Sequence, residues 1–358
     1  VNKYPFPVIG GRMIKTGIAV LITGWICLYF GLPPAFAVMT AIVTIEPTVI
    51  DSIRKGLIRF PASMIGAFIS IILSSMFGPG ALTYGLAAVL TLYFCHFFRL
   101  QEGALVATLT AIAMIPELSG HYGYDFLLRV TNTSIGLIVS TLINVLIWPP
   151  NYLKAIEMRR HHFQKNISRV LSQSVQALLY SSNKGRSHRV AYASLLSELD
   201  ELFRLLAYQK NESVFHYMNQ REKRQFILEQ KKLILLQRIL FSIGQLQTIN
   251  KQPNFSTAAK ETISDFSKDL ADCLASEDGI IAERQYETLA KLSFYLKPSI
   301  KIRELQPIKT NYNFEPASTL YIELLFIHDC LEDIEQWLTR QAYENRNQAY
   351  DQPARYFK

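Results

Sequence analysis

Six stretches of nearly unbroken apolar residues occupy the first 150 positions of this 358-residue chain, at about 14–30, 34–50, 57–77, 81–98, 103–118 and 126–148. Each approaches the ~20 residues that a helix needs to cross the hydrocarbon core of a bilayer, so the pattern predicts six transmembrane helices. The second and fifth are interrupted near their ends by proline, in the runs Ile45–Thr48 and Ile115–Leu118. Beyond Pro149 and Pro150 the apolar residues recur at steps of three and four. Leu195, Leu199, Leu202 and Leu206 make one such stripe, and Leu320, Leu324, Ile327, Leu331, Ile334 and Leu338 make another. Stripes of this period mark amphipathic helices. Breaks at Ser181–His188, Asn250–Ser256, Ser276–Gly279 and Pro298–Pro316 divide this half into about six helical segments. No segment alternates with the period of a strand. The expected fold is all-α: a six-helix transmembrane domain over residues 1–150, then a cytosolic helical bundle over residues 151–358.

The apolar half also repeats itself. A shift of 70 positions lays residues 36–80 on residues 106–150 without a gap and matches eleven identities, including Ala37/Ala107, Thr40/Thr110, Arg59/Arg129, Gly66/Gly136 and Ser70/Ser140. Apolar matches are cheap, but this register also pairs two intramembrane arginines, each seven residues before a glycine. Two units, over about 10–80 and 81–150, each hold three spans. An odd number of spans makes the second unit enter the bilayer from the opposite face, which predicts a 3+3 inverted repeat, the architecture of transporters and channels. The paired proline breaks fall where such repeats build substrate sites, because freed backbone groups can face a wet cavity there.

Charge sorts the two halves and orients the first. Residues 1–150 carry 8 Lys/Arg and 5 Asp/Glu, against 29 and 24 in the remainder. The surplus of +3 and +5 is too diluted by acids to point to nucleic acid, and the basic balance fits a cytosolic membrane face. Lys3, Arg12, Lys15, Arg54, Lys55, Arg99, Lys154, Arg159 and Arg160 all fall to one side of the six spans, whereas the loops Gly31–Pro33, Gly78–Thr83 and Glu117–Asp125 contain no Lys or Arg. The positive-inside rule then puts both termini in the cytoplasm. The first apolar segment lacks a signal-peptide cleavage site and reads as an anchor. Cys27, Cys95, Cys273 and Cys330 stand far apart and read as reduced packing residues.

Arginine inside a span is costly unless it meets water, a partner or a ligand. Arg59 and Arg129 are therefore the first candidates for an anion path, since a guanidinium matches a carboxylate with two parallel hydrogen bonds. The alternative is that both snorkel to headgroups, with Asp125 four residues before Arg129 neutralising it. Thr40, Thr110, Ser63, Asn132 and Thr133 are candidate polar groups along the same path, or else bond their own backbones. Glu46, the deepest acid, is a candidate proton carrier, with pairing to Arg54 or Arg59 as its alternative role. Lys154, Arg159, Arg160 and Lys165 are candidate contacts for anionic lipid headgroups. His161 with Glu157, and His328 with Glu332, lack the convergence of a metal site, so no metal is expected. No Walker loop, GxSxG elbow, HExxH or dinucleotide fingerprint occurs, so neither a cofactor nor an enzyme of the common classes is expected.

The runs GGRMIKTGIAV (10–20), TIEPTVIDSIRKGLIR (44–59), RLQEG (99–103) and NVLIWPP (144–150) resemble the bacterial aromatic acid exporter family. The six-span layout with paired arginines resembles, more distantly, fusaric acid resistance proteins and plant aluminium-activated malate channels. The resemblance implies a plasma-membrane exporter of small organic anions, particularly aromatic carboxylates. It also implies a homodimer whose arginines line the anion path. The residues themselves argue only for an anion. Two other readings stay open: a passive organic-anion channel, and a membrane-anchored sensor or scaffold that works through its cytosolic helices.

Overall fold

In the computed structural model, which describes residues 11–118, 120–147, 151–180, 185–214, 218–249, 253, 255–276, 280–299 and 316–350, every element is helical. The first six are α1 (Gly11–Tyr29), α2 (Ala35–Thr44), α3 (Val49–Phe77), α4 (Ala81–Phe97), α5 (Gln101–Met114) and α6 (Tyr122–Leu146), with a 3-10 turn at Ile115–Glu117. Six more follow: α7 (Leu153–Tyr180), α8 (Gly185–Glu212), α9 (Gln220–Thr248), α10 (Thr257–Ala275), α11 (Glu283–Ser299) and α12 (Pro316–Tyr350). By length and composition α1, α3 and α6 are able to cross a membrane, while α2 and α4 are apolar but shorter.

Two boundaries differ from the sequence reading. The second apolar stretch, expected to run to residue 50, stops being helical at Thr44, where Ile45 turns extended ahead of Glu46 and Pro47. A residue before proline is pushed out of the helical region, and proline offers no amide to the preceding turn. The third helix, expected from residue 57, begins at Val49 instead. Thr48 caps it, its hydroxyl accepting from the Asp51 amide at 3.2 Å and donating to the Asp51 carboxylate at 2.7 Å. Asp51, Arg54 and Lys55 thus ride on helix rather than loop. Lys15, expected just before the first span, sits inside α1 and is buried.

The packing of α1 to α6 follows an exchange. Helix α3 packs against α4 and α5, helix α6 packs against α1 and α2, and α3 meets α6. One apolar core gathers Ala41, Ile45, Val139 and Ile143; another gathers Ala111, Ile115, Ile69 and Leu73. These four lie 70 positions from Ala111, Ile115, Ile69 and Leu73 respectively, while Ala19 of the first core and Ala87 of the second fall outside the relation. The matched glycines show why those positions stay small. A Cβ built on Gly66 would lie 2.2 Å from the Ala107 carbonyl oxygen, and one on Gly136 would lie 2.3 Å from that of Ala37. Ala37 and Ala107 are themselves a 70-position pair. Helix backbones this close tolerate no side chain between them.

The chain divides into two compact units, Val1–Asn151 with Tyr208–Tyr217, and Tyr152–Ala207 with Met218–Lys358. In the first, the buried Glu212 carboxylate accepts the Val49 amide at 3.2 Å, one of the open donors at the start of α3. In the second, α7 packs on α9 and α10, and α12 packs on α9, α10 and α11. The stripes on α8 and α12 point into its core, where Leu195, Leu199, Leu202, Leu206, Leu320, Leu324 and Ile327 are almost completely buried.

Candidate anion site

Arg129 is the centre of the site. It lies in the second turn of α6, only 5% exposed, with its guanidinium 3.7 Å from the centroid of the Phe36 ring. A desolvated cation on an aromatic face gains about 2 kcal/mol, which offsets part of the cost of burying it. Nη2 donates to Thr110 Oγ1 at 2.5 Å. The Thr110 hydroxyl spends its one proton on the Val106 carbonyl at 2.8 Å, so Ser63, 3.0 Å away, donates to it. Ser63 on α3, Thr110 on α5 and Arg129 on α6 therefore form one polar chain through three helices. Asn132, one turn further along α6, donates to the Pro33 carbonyl at 3.1 Å, while its buried Oδ1 has no partner among the described residues. Pro33, Phe36, Met114, Asp125, Arg129 and Asn132 border a small open-sided cavity. Arg129 and the Phe36 ring offer a planar carboxylate a cation and an aromatic face in this cavity, beside the acid of Asp125 four residues before Arg129.

Arg59 is held differently. Its Nη1 donates to the Val43 carbonyl at 2.8 Å and its Nη2 to Glu46 Oε1 at 2.9 Å. Lys55 approaches the other oxygen, Glu46 Oε2, at 3.2 Å. Glu46 thus serves two cations at the broken end of α2, its side chain 10% exposed. Of the two roles weighed for Glu46, pairing with Arg59 is present, and Arg54 takes no recorded part in it. The counterparts of the Arg129 chain are not joined to Arg59. Thr40 bonds its own helix at the Phe36 carbonyl, 2.9 Å away, and Thr133 Oγ1 is buried without a partner among the described residues.

Sequence reasoning missed a second polar cluster in the first unit. Lys15 Nζ donates to Asn144 Oδ1 at 3.0 Å and to the Asn144 carbonyl at 3.3 Å. The Asn144 amide in turn donates to Ser52 Oγ at 2.7 Å and to the carbonyls of Glu46 and Thr48. These bonds tie α1 and α6 to the α2–α3 break and satisfy the backbone that Pro47 frees. A lysine and an asparagine inside otherwise apolar helices were the available signal. Phe36 was missed as well, since nothing in an apolar run marks one ring as a cation's neighbour.

In the second unit Lys154, Arg159 and Lys165 are exposed, and Arg159 pairs with Glu201. Arg160 corrects the lipid-contact expectation. It is buried, with Nε donating to Glu229 Oε2 at 2.6 Å and Nη1 bonded to Gln164. Its position on the inner face of α7 decides this, because a charge so deep is held by its counter-ion and not by lipid. Burial, and then the neighbouring Arg160, push the Lys232 ammonium below its ordinary range. His328 is also buried, its Nδ1 2.9 Å from Gln285 Nε2 and its ring against Phe266 and Tyr286. Burial lowers its pKa, against the weaker pull of Asp329 and Glu332.

The sequence profile of aromatic acid exporter family member 1 matches residues 8–147, the stretch that holds both arginines. A UPF0421 protein of Bacillus cereus is 35% identical over 341 residues, which cover 95% of this chain and 97% of the relative. The chain belongs to the aromatic acid exporter family. A UPF0421 protein of Staphylococcus epidermidis is 31% identical across 92% of the chain and 98% of its own length. One from Oceanobacillus iheyensis reaches 44% identity over 220 residues, covering 60% of the chain and 63% of the relative. Membership and the apolar helices together make this aromatic acid exporter family chain a membrane protein of a transporter kind.

Proposed function

We propose that the protein exports small organic carboxylates, aromatic ones in particular, across the bacterial plasma membrane, with Arg59 and Arg129 as anion contacts. The observation that carries this reading is Arg129, a buried guanidinium stacked on Phe36 at the edge of a small open-sided cavity. Its planar fork matches a carboxylate, and the open Asn132 oxygen adds an acceptor for a donor group on the same ligand. The exchange of helix partners and the 70-position relation between the two apolar cores support a 3+3 inverted repeat of six spans. In such a repeat Arg59 and Arg129 are counterparts toward opposite faces of the membrane.

Glu46 then acts as an internal carboxylate on Arg59. A proton arriving on Glu46 breaks the pair and leaves Arg59 for the substrate, so that anion flux responds to proton supply. Ser63, Thr40, Thr110, Asn132 and Thr133 supply the polar lining. Both termini and the second unit lie in the cytoplasm, where Lys154, Arg159 and Lys165 meet anionic headgroups, and the protein works as a homodimer.

The test is flux of a labelled aromatic carboxylate in proteoliposomes, with and without a proton gradient. Loss of a charge-assisted pair costs about 1.5–3 kcal/mol, so Arg59→Gln and Arg129→Gln are each expected to cut flux by about tenfold or more. Glu46→Gln is expected to abolish the response to the gradient. Gradient-independent wild-type flux that survives Glu46→Gln would instead mark a passive channel. Equal counts from wild type, both arginine variants and empty liposomes would leave the spans as an anchor for the second unit.

A further inference from the structure

Helix α9 exposes a row of large apolar residues that the described residues of its own unit leave uncovered. Ile227, Ile234 and Phe241 recur every seven residues and are 51%, 43% and 50% exposed. Between them on the same face stand Lys231 and Arg238, also exposed. Apolar residues at this spacing form the seam by which one helix packs on another.

The neighbouring face belongs to α12. Lys231 lies over the Trp337 ring at 4.6 Å and Arg238 over the Phe326 ring at 5.2 Å. Rising numbers on α9 meet falling numbers on α12, so the two helices run antiparallel with their outer faces side by side. On α12 the outer face carries Ile322, Asp329 and Asp333, all exposed. Asp329 and Asp333 stand level with the stretch from Arg238 to Lys231. One surface of the second unit thus presents a basic, apolar row beside an acidic, apolar row.

We propose that this α9–α12 face is where two copies of the chain meet, α9 of each copy lying on α12 of the other. A twofold axis running along the helices brings each row onto its complement. Lys231 and Arg238 then face the partner's Asp333 and Asp329, and Phe241 packs toward the partner's Ile322 and Phe326. Pairing α9 with α9 would set basic residues against each other. An anionic membrane surface fits poorly, because the acidic row adjoins the basic one. The inference rests on the homodimer reading above and is independent of what the protein transports.

The experiment uses two differently tagged full-length copies in one membrane, with capture of one tag and measurement of the other in the eluate. Wild-type copies are expected to co-purify. Copies that both carry Lys231→Glu with Arg238→Glu have two acidic rows and are expected to fall to the untagged background, as are copies that both carry Asp329→Lys with Asp333→Lys. Mixing one variant with the other restores opposite charge, and co-purification is expected to return to the wild-type level. That rescue also shows that neither variant has lost its fold. Like-charged variants that co-purify as well as wild type would overturn the α9–α12 face while keeping the homodimer. Wild-type copies that do not co-purify would overturn both.

Discussion

Arg159 and Arg160 are adjacent in sequence and carry the same charge, yet their surroundings give them different energetics. Arg159 is half exposed and pairs with an equally exposed Glu201. Arg160 donates to Glu229, whose side chain is 3% exposed. Removing the first partner leaves a carboxylate in water, whereas removing the second strands one in the core, with Lys232 at 3.9 Å as the remaining cation among the described residues. Arg159→Ala is expected to cost less than about 1 kcal/mol. Arg160→Ala is expected to cost about 3 kcal/mol, as a lower melting temperature of the second unit in purified protein. Equal losses would contradict the burial of the Arg160 pair. The helical period of α7 already puts these neighbours on different faces, but composition around them does not say which face is inner. The same holds for Glu46, whose pairing with Arg59 depends on the α2–α3 break folding back by four residues.

At the scale of elements, irregular points are held by specific chemistry. Helix α2 ends because Pro47 follows Glu46, and α3 starts because Thr48 and Asp51 cap it. The Thr48-x-x-Asp51 spacing is present in the sequence, but Arg54 and Lys55 read as lying between two spans, and the cap goes unread. Close helix approach is the other device. Gly66 and Gly136 each face a carbonyl at a distance that admits no Cβ, whereas Gly17 and Gly85 have nothing within 4 Å. Gly66→Ala and Gly136→Ala are therefore expected to destabilise the first unit by about 1–3 kcal/mol each, and by similar amounts, since their contacts are related by the 70-position shift. Gly85→Ala is the control and leaves the thermal midpoint in detergent unchanged. A loss at only one of the two glycines would break the equivalence of the two helix groups.

At the scale of the whole molecule, each unit buries polar groups in its own way, and the second unit does so with a histidine. His328 joins α12 to Gln285 on α11 and to Phe266 on α10. Its folded pKa lies below the ordinary value, so the unfolded chain binds a proton that the folded one refuses. Stability is unaffected above about pH 6.5 and falls as pH drops below it, by up to about 1.4 kcal/mol per pH unit until the folded pKa is reached. His328→Asn is expected to remove that part of the slope in an acid series of unfolding curves. An unchanged slope would mean that His328 titrates freely in the folded state. The candidate site lies in the first unit, where Arg129 is buried among apolar helices.

The alternation of apolar and polar residues was enough to determine helices through the described residues, the change of character near Pro149, the stripes that fill the second core, and the register that aligns Arg59 with Arg129. These follow from local periodicity and from a register that can be counted along the chain. Which charges are inner, how α3 and α6 trade partners, and which ring lies under Arg129 were decided only by tertiary structure. Lys15, Asn144 and Ser52 are far apart in sequence, and so are Phe36, Thr110 and Arg129. Their contacts depend on the angles at which helices cross, and periodicity along one helix carries no information about its neighbour's orientation.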